Sequence, residues 1–163
     1  MNIIFKQLNK EKISLNKLYQ SNRDGLTATK FHELCDNKGP TLIIIKSDIG
    51  YIFGGYTSVS WTSPKDFLGS ILSKDPTAFL FQIHPELKVF KLKSKDDPKA
   101  VRSNTQFLFA FGKGCDLLIR GTQSQMGSFS MLGSYDMENP MDLIGGHSTL
   151  ITVDNMETFQ VLY

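Results

Sequence analysis

Apolar positions recur at helical spacing near the start of the chain and at strand spacing after it. Ile13, Leu15, Leu18 and Tyr19 form a short stripe that predicts a helix, with Ser14 placed to cap it and Gly25 to end it. Thr27 is placed to cap a second helix, in which Phe31, Leu34 and Cys35 fall at i, i+3 and i+4. Gly39 and Pro40 stop that helix, because a glycine followed by a proline cannot continue it. From Thr41 the pattern shortens. Thr41 to Lys46 and Tyr51 to Tyr56 flank the turn Asp48-Ile49-Gly50 and predict a hairpin. Ala78 to His84 and Leu87 to Leu92 do the same around His84-Pro85-Glu86, as do Thr105 to Phe111 and Cys115 to Arg120 around Gly112-Lys113-Gly114. Ser128 to Tyr135, Ser148 to Val153 and Thr158 to Tyr163 complete the predicted strands. Ser63 to Leu72 reads as a loop with a helical turn begun by Pro64.

Antiparallel strands joined by short turns predict a mostly β (α+β) fold: a two-sheet antiparallel β-sandwich with short N-terminal helices over an outer face or an open end. The run FLFAF from Phe107 to Phe111 is apolar at every position, so that strand is expected to be covered on both faces. A length of 163 residues fits one domain over 1–163 and buries about 70% of the unfolded surface. Twelve phenylalanines point to a large aromatic core. The net charge of +2, from 18 basic and 16 acidic residues, is too even for a nucleic-acid face. Lys88, Lys91, Lys93, Lys95 and Lys99 concentrate locally, but Asp96 and Asp97 interrupt them, which reads as a solvated strand end and not a phosphate patch. No apolar run reaches the ~18 residues that span a bilayer, so no membrane insertion is expected. In MNIIFKQLNKEK the charges follow the apolar part and no small-residue cleavage site is present, unlike a signal peptide. A cytoplasmic protein is expected, or a domain cut from a larger one.

Candidate chemistry is sparse. Cys35 and Cys115 make no disulfide framework and read as buried free thiols in a reducing compartment. His32, His84 and His147 show no metal spacing, and with no CxxC or HExxH neither a metal nor a cofactor is expected. No Gly-x-Ser-x-Gly elbow occurs, and Asp116 beside Cys115 would raise the thiol pKa, so no catalytic residue is assigned. Gly112 and Gly114 read as a hairpin turn using positive φ and not as a phosphate loop. Gly54-Gly55 and Gly145-Gly146 mark bulges or close backbone approach. Asp116 can accept backbone N–H bonds and fix its turn, or act as a surface acid in partner binding; Glu157 is a parallel case. Trp61 is expected to anchor the core or a sheet end, and if exposed would be a partner hot spot.

Several segments, taken in order, resemble the TLDc domain, a eukaryotic module of oxidation-resistance-type proteins. The likeness runs through Leu18 to Trp61, with Phe31-His32-x-x-Cys35, GPTL, FGGY and Ser60-Trp61. It continues through AFLFQI (Ala78 to Ile83), FAFGKGCDLLI (Phe109 to Ile119), SFSMLGSYD and the closing ETFQVLY. The resemblance implies a compact two-sheet β-sandwich with short helices. It also implies a role in resistance to oxidative damage and a protein partner, the vacuolar-type proton-pumping ATPase. It implies functional acidic residues, for which Asp116 and Glu157 are the matches by segment. The expected function is therefore a non-enzymatic protein-interaction module. The alternative is an enzyme or a direct thiol-based antioxidant that uses the two cysteines and three histidines.

Overall fold

A computed structural model describes residues 2–64, 69–120, 125–127, 133–139, 142–144 and 150–163. The chain begins with helix α1 (Asn2–Leu8), strand β1 (Ser14–Gln20), the single turn α2 (Ser21–Asp24) and helix α3 (Ala28–Cys35). Strands follow: β2 (Thr41–Ser47), β3 (Ile52–Thr57), β4 (Ile71–Ser73), β5 (Phe79–His84), β6 (Lys88–Lys91) and β7 (Val101–Ser103). After them come β8 (Phe107–Phe111), β9 (Leu117–Arg120), β10 (Gln125–Gly127), a 3-10 turn (Asp142–Ile144) and the long strand β11 (Leu150–Leu162).

All named strand pairs are antiparallel and form two sheets that share β11. One sheet runs β1-β11-β2-β3-β5-β6, and the other runs β4-β7-β8-β9-β10-β11. β11 crosses between them at a bulge. Leu150 to Thr152 pair with β10, Val153 pairs with Ser47, and Asp154 is the extra residue before Asn155 pairs with Lys46. A bulge bends its strand and sharpens its twist, which lets one strand leave one sheet and join the next.

The fold class matches the sequence reading, and three predicted hairpins form where expected: β2–β3, β5–β6 and β8–β9. Thr27 caps α3, its hydroxyl accepting from the Lys30 amide at 3.3 Å. Two expectations are corrected. The segment from Ile13 to Tyr19 is not a helix: Ser14–Gln20 is an edge strand on β11, and Gly25 ends the single turn α2 instead, at φ 84°. Val153 and Thr158 lie on one continuous strand and not two. The predicted strand from Ser128 falls outside the described residues as far as Leu132. The turn expected at Pro64 likewise runs into undescribed residues.

The main core lies between the sheets. Ile43, Ile45, Phe53 and Leu80 come from one sheet and Phe109, Phe111, Leu117 and Ile119 from the other, closed at one end by Phe31 and Cys35 of α3. β2 and β5 are also buried on the opposite side. There α1 lays Ile4 over Leu42, Tyr56, Phe79, Phe81 and Val161. This second layer explains why TLIII and FLF are apolar without alternation. Among the described residues, no helix is long and apolar enough to cross a membrane.

Candidate functional site

The turn between β8 and β9 holds the most constrained backbone among the sequence-predicted site residues. Gly112 and Cys115 take left-handed conformations (φ 80° and 59°), with Gly114 between them. A Cβ on Gly112 would lie 2.6 Å from Cγ of Asp116, so the position needs glycine for space as well as for φ. Asp116 is fully buried, and its Oδ2 accepts from the Tyr135 amide at 2.8 Å. The Lys113 amide donates to Oγ of Ser134 at 3.0 Å, and the Gly112 amide to the Ala100 carbonyl at 2.8 Å. The carboxylate thus joins its turn to the segment around Tyr135. Cys115 belongs to this turn and does not begin a strand; it is half-buried, unlike Cys35.

Trp61 is 1% exposed. Its ring meets Phe31, Phe109 and Phe111 at centroid distances of 6.3, 5.7 and 5.6 Å, and its Nε1 donates to Oγ1 of Thr41 at 2.9 Å. Gly55 faces the same cluster, where a Cβ would lie 2.7 Å from Phe111. Gly54 faces the other way, and a Cβ there would overlap the Ile43 carbonyl oxygen and crowd Phe81. Both glycines allow close approach within the sandwich.

Glu157 is the one of the three candidates that reaches the surface. It lies on the face of the first sheet that α1 partly covers, opposite Ile44 and next to Phe159. Nζ of Lys17 sits 2.5 Å from its Oε1 and 5.4 Å from the centre of the Phe159 ring. A half-exposed pair of this kind contributes only ~0–1 kcal/mol to stability, so it defines charge pattern more than fold. The structure therefore does not bring Asp116, Trp61 and Glu157 together. Two are interior and one is on a sheet face.

A second polar cluster has no counterpart in the sequence reading. His32 is buried, with Nδ1 2.7 Å from Oδ1 of Asp36 and Nε2 2.9 and 3.0 Å from the carbonyl oxygens of Asn104 and Phe107. Oγ of Ser63 donates to the other Asp36 oxygen at 2.6 Å. Every partner of the imidazole is an acceptor, an arrangement that favours the charged ring, in which both nitrogens donate. Burial, the largest influence, pulls its pKa down; the hydrogen bond and charge of Asp36 and the two carbonyls outweigh it and raise the pKa overall. The i, i+4 spacing of His32 on α3 and Asp36 just past its end was a usable signal; the carbonyls, over seventy residues away, were not.

The sign of the pH effect follows. A pKa raised on folding stabilises fully below the unfolded value of ~6.5 and is lost as pH rises through the folded value. His32→Asn should therefore lose its stability deficit as the pH rises above the unfolded value of ~6.5 and through the folded one, because the wild type falls toward it. Urea unfolding of both proteins across that window measures the gap, and a constant gap would show that the ring is neutral.

His84 is exposed, and Gly145-Gly146 and His147 lie outside the described residues. Among the described residues, no group of three or more His, Cys, Asp or Glu side chains converges as a metal ion would require.

A family model described as the TLDc domain matches residues 1–162. Among curated proteins, the chain is similar to the MTOR-associated protein MEAK7 of Danio rerio, 34% identical over 80 residues, covering 49% of this chain and 17% of that protein. It is likewise similar to the proteins of that name from Gallus gallus (37% over 75 residues, 44% and 15%) and Xenopus laevis (37% over 70 residues, 41% and 14%). The match thus spans less than a fifth of the length of these relatives.

Proposed function

The chain belongs to the TLDc domain family, and we propose from that membership that it is a non-enzymatic protein-interaction module. Its partner in this reading is the vacuolar-type proton-pumping ATPase, whose binding and regulation would link the module to oxidative-stress resistance. The name of the relatives ties them to mTOR, and a regulatory role exercised through a protein partner is what we carry over from them.

One observation supports this reading over a chemical one: Cys35, His32 and Asp116 are built into the fold. Burial pushes the Cys35 thiol up to about 12, helped by the Asp36 charge. His32 spends both nitrogens on acceptors, and Asp116 is enclosed in its turn. The surface around Glu157 and Lys17 is left for recognition.

The tagged chain should enrich ATPase subunits in an affinity purification from cell extract, and a Lys17→Glu, Glu157→Lys double variant should recover fewer. Recovery of no pump subunit by the wild type sinks the pump-specific reading. The thiol alternative has its own test, in which the Cys35→Ser, Cys115→Ser double variant is placed in a peroxide-protection assay. Full protection rejects a thiol mechanism, and lost protection rejects ours. Cys35 is also expected to resist iodoacetamide at about pH 8 in the folded protein and to react after denaturation, because only the thiolate attacks. Mass spectrometry of alkylated peptides reads this directly, and rapid native labelling of Cys35 would contradict its burial.

A further inference from the structure

Beside α1, on the outer face of the first sheet, lies an open cleft of about 240 Å³. It is lined by Gln7 of α1, Thr77 from the turn before β5, Lys91 at the end of β6, Lys95 beyond it, and the apolar Phe79 and Leu92. The two lysines differ from their neighbours. Lys74 is paired with Asp96 at 2.6 Å and Lys88 with Glu86 at 2.9 Å, so the nearby exposed acids are engaged. Asp97 turns its carboxylate to the Lys99 amide. Asp75, behind Thr77, is buried and accepts from Thr57, Ser58 and Thr77. Asp136 is exposed next to β6, where its amide donates to the Lys91 carbonyl, and it forms no ion pair with Lys91. Lys91 and Lys95 thus face the cleft with no carboxylate partner among the described residues.

The cleft is also held in shape. Lys91 stands opposite Phe79 in the β5–β6 ladder, and the backbone on both sides of Leu92 is fixed to the segment around Tyr135. The Asp136 amide donates to Lys91 at 2.8 Å, and the Lys93 amide donates to Ser134 at 2.9 Å. Two lysines without a carboxylate partner, lining one cleft beside the apolar Phe79 and Leu92, suit a compact anion with several acceptor oxygens. The volume is below that of a drug-sized pocket and fits a headgroup-sized ligand.

We propose that this cleft binds a phosphate group carried on a small polyol, either as a free sugar phosphate or as the headgroup of a phosphorylated lipid. The lysine cluster is therefore not only a solvated strand end: Lys88 belongs to an ion pair, whereas Lys91 and Lys95 form a site.

The test is a titration of the 163-residue chain with inositol trisphosphate, followed by amide NMR, beside sedimentation with phosphatidylcholine vesicles doped with a phosphatidylinositol phosphate. Saturable shifts should be confined to Gln7, Thr77, Phe79, Leu92 and Lys95. They should weaken roughly tenfold or more in a Lys91→Gln, Lys95→Gln double variant, since two charge-assisted contacts are removed. Lys74→Gln should bind as the wild type does, and melting temperatures should agree among all three proteins. Sedimentation that depends on the same two lysines identifies the lipid as the source; shifts without sedimentation identify the soluble ligand. The proposal is overturned if neither ligand gives a saturable response, or if the double variant responds as the wild type does.

Discussion

Trp61→Ala should cost about 4 kcal/mol of folding stability and lower the melting temperature by roughly 8–16 °C, the largest single-residue effect expected in the aromatic core. The indole is the contact through which three separately encoded pieces of the protein meet. Phe31 comes from α3, Phe109 and Phe111 from β8, and Thr41, which accepts the indole N–H, from the start of β2. Truncation leaves a void among rings that are fixed by other packing. Phe31 is also held by Tyr19, and Phe111 by Tyr135, at 5.6 and 6.2 Å, so neither can collapse freely into the gap. Limited relaxation is what places a large-to-small substitution at the costly end of its range. Trp61→Phe keeps most of the volume and loses only the hydrogen bond to Thr41, for which about 1–3 kcal/mol is expected. Because Trp61 is the only tryptophan, its emission reports the wild type alone, and far-UV circular dichroism in urea must follow all three proteins. A loss below about 1 kcal/mol for the alanine variant would show that the rings repack around the site.

The same residue shows how far local sequence reasoning reaches. Trp61 was recognisable as an anchor from its size and its place after FGGY, but its partners are set by tertiary approach. The three hairpins were legible because turns containing glycine, proline or aspartate lie between apolar runs, and both halves of that signal are local. The misread segments share one cause. In β1 the register shifts between Lys17 and Tyr19, so Leu18 is an extra residue, and the alternation of Leu15 and Tyr19 is stretched toward a helical period. In β11 the bulge at Asp154 puts two polar residues in mid-strand, which made one strand look like two. A bulge breaks the period of two on which strand recognition depends, and here both bulges lie on strands that meet at β11.

Site residues divide along the same line. The Asp116 turn could be read because its glycines and the carboxylate lie within a few residues. Burial of Asp116 could not, because the amide its carboxylate holds belongs to Tyr135, 19 residues further along the chain. The cluster around His32 and the cleft at Lys91 depend wholly on which loops the two sheets bring together. Beside the cleft, Lys88 and Lys91 are close in the chain, yet Lys88 pairs with Glu86 and Lys91 forms no ion pair among the described residues.

Asp75→Asn should remove about 3 kcal/mol at neutral pH, in a manner that reveals the charge. The Asp75 carboxylate accepts five hydrogen bonds: Oδ1 from Oγ of Ser58 (2.9 Å) and from the amide and hydroxyl of Thr77 (3.0 and 2.6 Å), Oδ2 from the Thr57 hydroxyl and the Ser58 amide (both 2.7 Å). Together they staple the end of β3 to the turn that starts β5. An asparagine turns one acceptor into a donor. Hydroxyls can rotate to meet it, but the amide of Ser58 or Thr77 cannot, and one of them is left facing an N–H. Burial, the largest influence on the carboxyl, raises its pKa; the hydrogen bonds from Thr77, Thr57 and Ser58 outweigh it, and the pKa is lowered on folding. A lowered value stabilises above the unfolded pKa of ~3.9 and is lost as pH falls through the folded one. The gap between wild type and variant should therefore be widest from about pH 5 upward and should narrow as the solution is acidified toward pH 2. Urea unfolding at stepped pH measures it, and a gap that stays constant into acid would show that the carboxyl is already protonated at neutral pH. Because Thr77 also lines the cleft beside Lys91, the variant should weaken inositol phosphate binding while the two lysines remain in place. Loss of affinity together with loss of stability would tie the staple to the shape of the cleft, whereas unchanged affinity would place recognition on the lysines alone.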